Sequence, residues 1–241
     1  MTEMISTPEP SAASHNPIDA RRACEALRHA RPRTRDQLKT YVKTFLDLDV
    51  PDVRLCPDHS SPMDYLWHSF SMDDPSSIIH PPCSDSIVWA NRAGGKTELA
   101  AIATLLDAFF KPNCHVRILG GSGEQSWRLY EYLVGFLRRG FEESLAGPIR
   151  KGGCRFANGS SVEVLTQSAT SVRGTHVQKL RCDEVELFDE DVFAAAKFTT
   201  LSTDVCVGSM ELISTMHKPY GIMQREVASA KELGVPVFKW C

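Results

Sequence analysis

Residues 90–97 read Ala-Asn-Arg-Ala-Gly-Gly-Lys-Thr and stand between an apolar run, SIVWA (86–90), and a long stretch of helical pattern. This segment constrains the fold more than any other. Two glycines followed by Lys-Thr let backbone N–H groups curl around an anion, and a strand before them with a helix after them aims the helix's positive end at the same point. Gly94 and Gly95 would wrap a β-phosphate, Lys96 would neutralise the β- and γ-phosphates, and the Thr97 hydroxyl would ligate Mg²⁺. The usual first glycine of such a loop is Ala90 here. Arg92, four residues before Lys96, reads either as a solvated arginine or as a second cation over the γ-phosphate. The candidate nucleotide loop is therefore Ala90, Asn91, Arg92, Ala93, Gly94, Gly95, Lys96 and Thr97.

The surrounding rhythm belongs to an α/β sheet. Leu99, Ile102, Ala103, Leu106, Phe109 and Phe110 lie on one helical face, and Lys-Pro-Asn at 111–113 stops that helix. Residues 115–119 (HVRIL) read as a second strand, and a second helix follows with Trp127, Tyr130, Leu133, Val134 and Leu137 as its stripe. Strand, crossover helix, strand, helix predicts a parallel sheet covered on both faces. A hairpin is predicted at 154–165 around Asn158-Gly159. Residues 177–182 read as a third core strand, 192–198 as a helix and 210–213 as another strand. Pro219 is a candidate helix start, and 235–240 reads as a last strand.

A phosphate loop needs a carboxylate to hold the metal and a base to orient water. Asp183 and Glu184, at the end of VQKLRC, supply both in adjacent positions, and alternation at a strand end would point them in different directions. A strand buried on both faces should be nearly all apolar. Lys179 and Arg181 interrupt this one, so they must reach solvent, pair with acids, or belong to a less central strand. Of the six acids between 183 and 191, a solvated loop is the ordinary reading for Glu186, Asp189, Glu190 and Asp191.

The length of 241 residues suits one large domain with an appendage. The division expected is a disordered tail over 1–17, a partly helical, loop-rich N-terminal extension over 18–85, and the α/β domain over 86–241. The formal net charge of -3 argues against a surface that binds nucleic acid everywhere, while leaving room for a local basic groove. No apolar run approaches the ~20 residues needed to span a bilayer, and no secretory pattern opens the chain. Eight cysteines scattered along the chain read as reduced thiols of a cytoplasmic protein, host cytoplasm if viral, with no membrane partner.

These pieces resemble the ATPase domain of the large terminase subunit, the motor that packages viral DNA, over about residues 86–221. NRAGGKT is similar to the terminase variant of the phosphate loop, in which an arginine precedes the lysine by four positions and the first glycine is often lost. SVRGTHVQKLRCDE (171–184) resembles the family's polar loop followed by its Walker B strand. The resemblance implies Asp183 as the Mg²⁺ carboxylate beside Thr97, and Glu184 as the catalytic base acting with Lys96 and Arg92. ELISTM (211–216) is similar to the family's coupling motif, which implies Ser214 and Thr215 as the residues relaying hydrolysis to DNA movement. GGSGEQSWRLYEYL (120–133) is comparable to the helicase-like segment, with Gln125 in its usual place.

The fold implied is a mainly parallel P-loop NTPase sheet, terminase- or helicase-like, with flanking helices, an inserted β-hairpin and the N-terminal extension. ATP and Mg²⁺ are the implied cofactors. Double-stranded DNA, a portal and a small terminase subunit are the implied partners, with a homo-oligomer left open. The family's nuclease half has no room after Tyr220, so either the chain is a fragment, the nuclease is a separate polypeptide, or packaging is not its task. Alternatives are another nucleic-acid-dependent, helicase-like ATPase, or a nucleotide-binding module that has lost hydrolysis.

Three further constellations remain. Cys56-x-x-His59 and His80-x-x-Cys83 make a complete Cys₂His₂ set for zinc in a loop-rich region, against the commoner reading of exposed side chains. For DNA the candidates are Arg173, the basic stretch 21–43, and Arg138 with Arg139. Tyr65 and Trp67 read as core residues, with stacking on a base as the alternative.

Overall fold

The computed structural model describes residues 17–71, 84–174 and 176–241. Among the described residues, three helices precede the sheet. α1 (Pro17–His29) starts on proline, whose fixed φ suits a first helical position, so the tail expected over 1–17 gives way to helix by residue 17. α2 (Arg35–Leu46) is capped by Thr34, whose side chain accepts from the Gln37 N–H, and it buries Leu38, Tyr41, Val42 and Leu46. α3 (Pro62–Ser71) buries Met63, Tyr65, Leu66 and Phe70. The basic stretch thus forms a helix pair, of which α2 has one face in the core while the described side chains of α1 are exposed or half-buried. Arg35 holds Asp52 and Asp64 (the latter at 2.8 Å), which ties the following loop down. Arg28 bonds the Gly140 carbonyl at 2.8 Å and lies over the rings of Phe45 and Phe141.

The sheet follows the predicted order of elements. β1 (Ser86–Ala90) leads into α4 (Lys96–Phe110), and β2 (His115–Gly120) into α5 (Gly123–Leu137). β3 (Gly153–Arg155) and β4 (Ser161–Val164) form the hairpin, and α6 (Ala169–Arg173) precedes β5 (Lys179–Asp183). α7 (Glu190–Ala196), β6 (Ser209–Ser214), α8 (Ile222–Leu233) and β7 (Val237–Trp240) complete the chain. The strand order is β3-β4-β2-β5-β6-β1-β7, and among the described strands only the β3–β4 pair is antiparallel. The hairpin is therefore part of the main sheet, because β4 also pairs with β2 in parallel. Asn158 does more than turn it: its amide donates to the carbonyls of Ala108 and Phe109, two of the last carbonyls of α4.

One sequence expectation changes, and one open alternative is decided. Pro219 does not open α8, which begins at Ile222 after Gly221 as its N-cap. The charged strand is not peripheral: β5 lies between β2 and β6 with all five residues buried. Arg181 is wholly buried because acids meet it, Glu211 of β6 at 2.7 Å and Asp107 of α4 at shorter range, with Ser69 Oγ accepting at 3.2 Å. Tyr65 donates to the other Glu211 oxygen at 2.5 Å, so its ring belongs to this network and to the core rather than to a base. The guanidinium loses solvation but gains two carboxylates that hold its pKa above the ordinary value.

The core has two parts. One joins α2 and α3 to α4, α5 and one face of the sheet, through residues such as Leu38, Leu66, Leu105 and Leu133. The other packs α7 and α8 against Leu180, Cys182 and Leu212. α2 and α3 accordingly share their core with the sheet.

Candidate active site

Parallel strands send their carboxyl ends to one edge, where open α/β sheets gather ligands. Here β1 ends in the glycine loop, β5 in Asp183 and β6 in Ser214. β6 lies between the other two: Trp89 pairs with Ser214, and Asp183 with Ile213. The loop and the acid pair therefore face each other across one strand.

Gly95 is the N-cap of α4 in the left-handed region (φ 72), a conformation glycine adopts without steric cost. It brings no side-chain acceptor, so the positive end of α4 faces whatever the loop encloses. Ala93 is also left-handed (φ 60), a strained conformation for a residue with a Cβ. Gly94 eases a close approach: a Cβ there would crowd Asn91 Oδ1 at 3.0 Å and Trp240 Nε1 at 3.2 Å. Trp240 donates to the Gly94 carbonyl at 2.6 Å, so β7 props the loop from behind.

Lys96 is buried, and its ammonium donates to the carbonyls of Ala90 (3.1 Å) and Asn91 (2.8 Å) within the loop. Burial lowers its pKa, Glu184 and Asp183 oppose that, and Arg92 adds to it. Thr97 Oγ1 donates to Asp183 Oδ2 at 3.0 Å. Burial pushes the Asp183 carboxyl up to about 6, against the Thr97 hydrogen bond. A hydroxyl and a carboxylate converging beside the first turn of a helix are hard oxygen donors suited to Mg²⁺; Thr97 and Asp183 fit that ion.

Strand alternation is not what separates Asp183 from Glu184. β5 ends at Asp183, and Glu184 is left-handed (φ 53), opening the 3-10 turn Val185–Leu187. The reversal turns Asp183 toward Thr97 and Glu184 toward β6, where Ser214 Oγ donates to Glu184 Oε2 at 3.1 Å. A cleft of about 730 Å³ collects Arg92, Lys96, Thr97, Gln125, Glu184 and Thr215. The Thr215 hydroxyl lies 3.0 Å from His217 Nδ1, and His217 also lines the cleft.

Other candidates fall outside this cleft. Arg173 is exposed at the end of α6 and does not line it. Arg138 is exposed, and Arg139 bonds the Leu46 carbonyl and covers Phe136. Of the four zinc candidates, His80 and Cys83 lie outside the described residues; Cys56 and His59 lie beside Cys241.

Sequence reasoning missed three contributors. Arg128 lines the cleft from α5, one turn after Gln125, so helical spacing could have found it. His217 and Trp240 had no local signal. A second, apolar pocket of about 390 Å³ opens on the other flank of the loop, between Val50, Val53, Leu99, Ile102 and Trp240.

No family model and no curated protein matches the chain. Among solved structures, the large terminase of the HK97 bacteriophage is similar at 14% identity and a TM-score of 0.62, over 86% of this chain and 43% of that one. The large terminase of a thermophilic bacteriophage is similar at 13% identity and a TM-score of 0.57, over 72% and 44%. The complex of that thermophilic enzyme with ADP gives 14%, a TM-score of 0.58, and 73% and 44%. The chain shares its fold with a part of these terminases and spans less than half of their length.

Proposed function

We propose that this chain is an ATPase motor of the large terminase type, which hydrolyses ATP with Mg²⁺ to move double-stranded DNA. The observation that carries the reading is the 3.0 Å hydrogen bond from Thr97 to Asp183, which joins the glycine loop to the acid pair across 86 residues. Beside it, Glu184 faces the cleft that also holds Lys96 and Arg92. The fold shared with large terminases, one of them solved both with ADP and with ATP-gamma-S, supports the same reading.

Lys96 would exchange its two loop carbonyls for the β- and γ-phosphates, a short reorientation of a side chain already in place. Arg92 would meet charge developing on the γ-phosphate. Thr97 and Asp183 would hold Mg²⁺, which when bound supplies charge neutralisation on the phosphates. Glu184, held by Ser214, would orient the attacking water and accept its proton. The apolar pocket beside Gly94 and Gly95 suits the adenine, with Leu99, Ile102 and Trp240 as its walls. Ser214, the last residue of the strand between loop and acids, and Thr215 just after it are the residues through which hydrolysis would be coupled to DNA.

The test is ATP turnover with and without duplex DNA in wild type, Lys96→Ala and Glu184→Gln. DNA should raise wild-type turnover. Lys96→Ala should lose nucleotide affinity, and Glu184→Gln should bind ATP but turn over at least ~10²-fold more slowly. Equal turnover in all three proteins removes the mechanism; indifference to DNA removes the motor and leaves an ATPase.

A further inference from the structure

Cys56, His59 and Cys241 bring their ligand atoms within 4.8 Å of one another, and they are the sole such trio of His, Cys, Asp or Glu among the described residues. We propose that they form a zinc site that ties the loop before α3 to the end of β7.

The geometry suits the ion before any ion is present. Zn–S bonds of about 2.3 Å at the tetrahedral angle put two sulfurs about 3.8 Å apart, and the Cys56 and Cys241 sulfurs are 3.8 Å apart. Thiol contact alone does not make a site: Cys114 and Cys206 lie 3.6 Å apart in the core with no third ligand among the described residues. The difference is His59. Its Nδ1 is buried and has no hydrogen-bond partner among the described residues, a state that costs free energy unless a donor or a metal takes the lone pair. The Cys-x-x-His segment is already a tight turn, closed by the His59 N–H on the Cys56 carbonyl at 3.1 Å. The two segments are also already in contact, through the Ser60 N–H on the Lys239 carbonyl at 2.7 Å.

Two thiolates and an imidazole select zinc over hard ions such as Mg²⁺, so the site would not compete for the metal of the phosphate cleft. The trio supplies three of the four ligands that zinc usually takes. His59 and Cys241 line the apolar pocket beside Gly94, and Trp240, next to Cys241, props the loop. The ion would fix the wall of that pocket. Zinc binding itself does not depend on the nucleotide reading and is measured without nucleotide.

The experiment uses the full chain, purified without a metal-binding tag, loaded with zinc or cobalt(II) under reductant and dialysed. Wild type should retain equimolar zinc, and its cobalt form should show sulfur-to-cobalt charge transfer with tetrahedral visible bands. Cys56→Ser and Cys241→Ser should each fall to trace metal, while Cys24→Ser, exposed on α1, should retain it. His59→Cys preserves the ligand count, so it should keep zinc and shift the cobalt spectrum to a three-sulfur pattern, which guards against loss by misfolding. Trace zinc in folded wild type overturns the proposal. So does zinc that persists undiminished in both serine variants, or a cobalt spectrum that His59→Cys leaves unchanged.

Discussion

Ser214 Oγ donates a 3.1 Å hydrogen bond to Glu184 Oε2 and so joins the end of β6 to the residue after β5. Glu184 owes its direction to a left-handed backbone (φ 53) that its own side chain does not favour. The hydrogen bond is what selects one orientation of the carboxylate. Ser214→Ala should therefore reduce kcat about 10-fold while changing the KM for ATP by less than about 3-fold, as expected for a positioning residue. Steady-state kinetics decide it: an unchanged kcat means that Glu184 is aimed by its backbone alone.

The glycine loop leans on β7 through one indole. Trp240→Phe keeps the ring but leaves the Gly94 carbonyl without its donor at 2.6 Å. A hydrogen bond of this kind contributes about 1 kcal/mol, so the affinity for a fluorescent ADP analogue should weaken about 5-fold. An unaltered affinity would show that the loop holds its shape unaided.

The ion network in the middle of the sheet should be costly to break and cheap to replace. Glu211→Ala leaves a fully buried Arg181 with Asp107 as its one remaining carboxylate among the described residues and leaves Tyr65 and Ser69 without their acceptor. The loss expected in urea unfolding is about 3–5 kcal/mol. Arg181→Met combined with Glu211→Leu should cost less than Glu211→Ala alone, since both charges of the pair are gone and Asp107 keeps Lys111 at 2.5 Å. A double variant less stable than the single one contradicts this.

Acid should destabilise the fold through His68. Burial lowers its imidazole pKa below the ordinary 6.5, against Glu211 and backbone groups of Asp85 and Ser84, which favour the charged form. Lys179 adds to the lowering. The unfolded chain therefore binds more protons near pH 6. The stability linked to His68 is complete above about 6.5 and is lost as pH falls toward the folded value. Proton uptake on unfolding at pH 6 should be smaller by a fraction of a proton in His68→Gln. Equal uptake in the two proteins refutes the assignment.

If Arg173 contacts the DNA backbone, Arg173→Ala should weaken duplex binding similarly for unrelated sequences. It should also reduce the slope of log K against log salt by about 1. A slope identical to wild type assigns the contact elsewhere.

Local chemistry made much of this molecule legible. The strand before residue 90, the helix after 96 and the second strand–helix unit all follow from periodicity and stop signals confined to a few neighbouring residues. Even the charges of β5 announced a choice, since a buried strand can carry Arg181 only beside acids. Which acids was beyond the sequence, because Asp107 and Glu211 lie 74 and 30 residues away.

The chain's own order of residues determined the glycine loop, the acid pair and the alternation of strands and helices, because each depends on contacts within a turn or two. Tertiary structure decided the rest. Insertion of β6 between β1 and β5 sets Ser214 against Glu184, β7 carries Trp240 to Gly94, and the chain's far end brings Cys241 to Cys56 across 185 residues. Such pairings depend on which strand edges meet and how much apolar surface they bury together, and no window along the sequence contains that information.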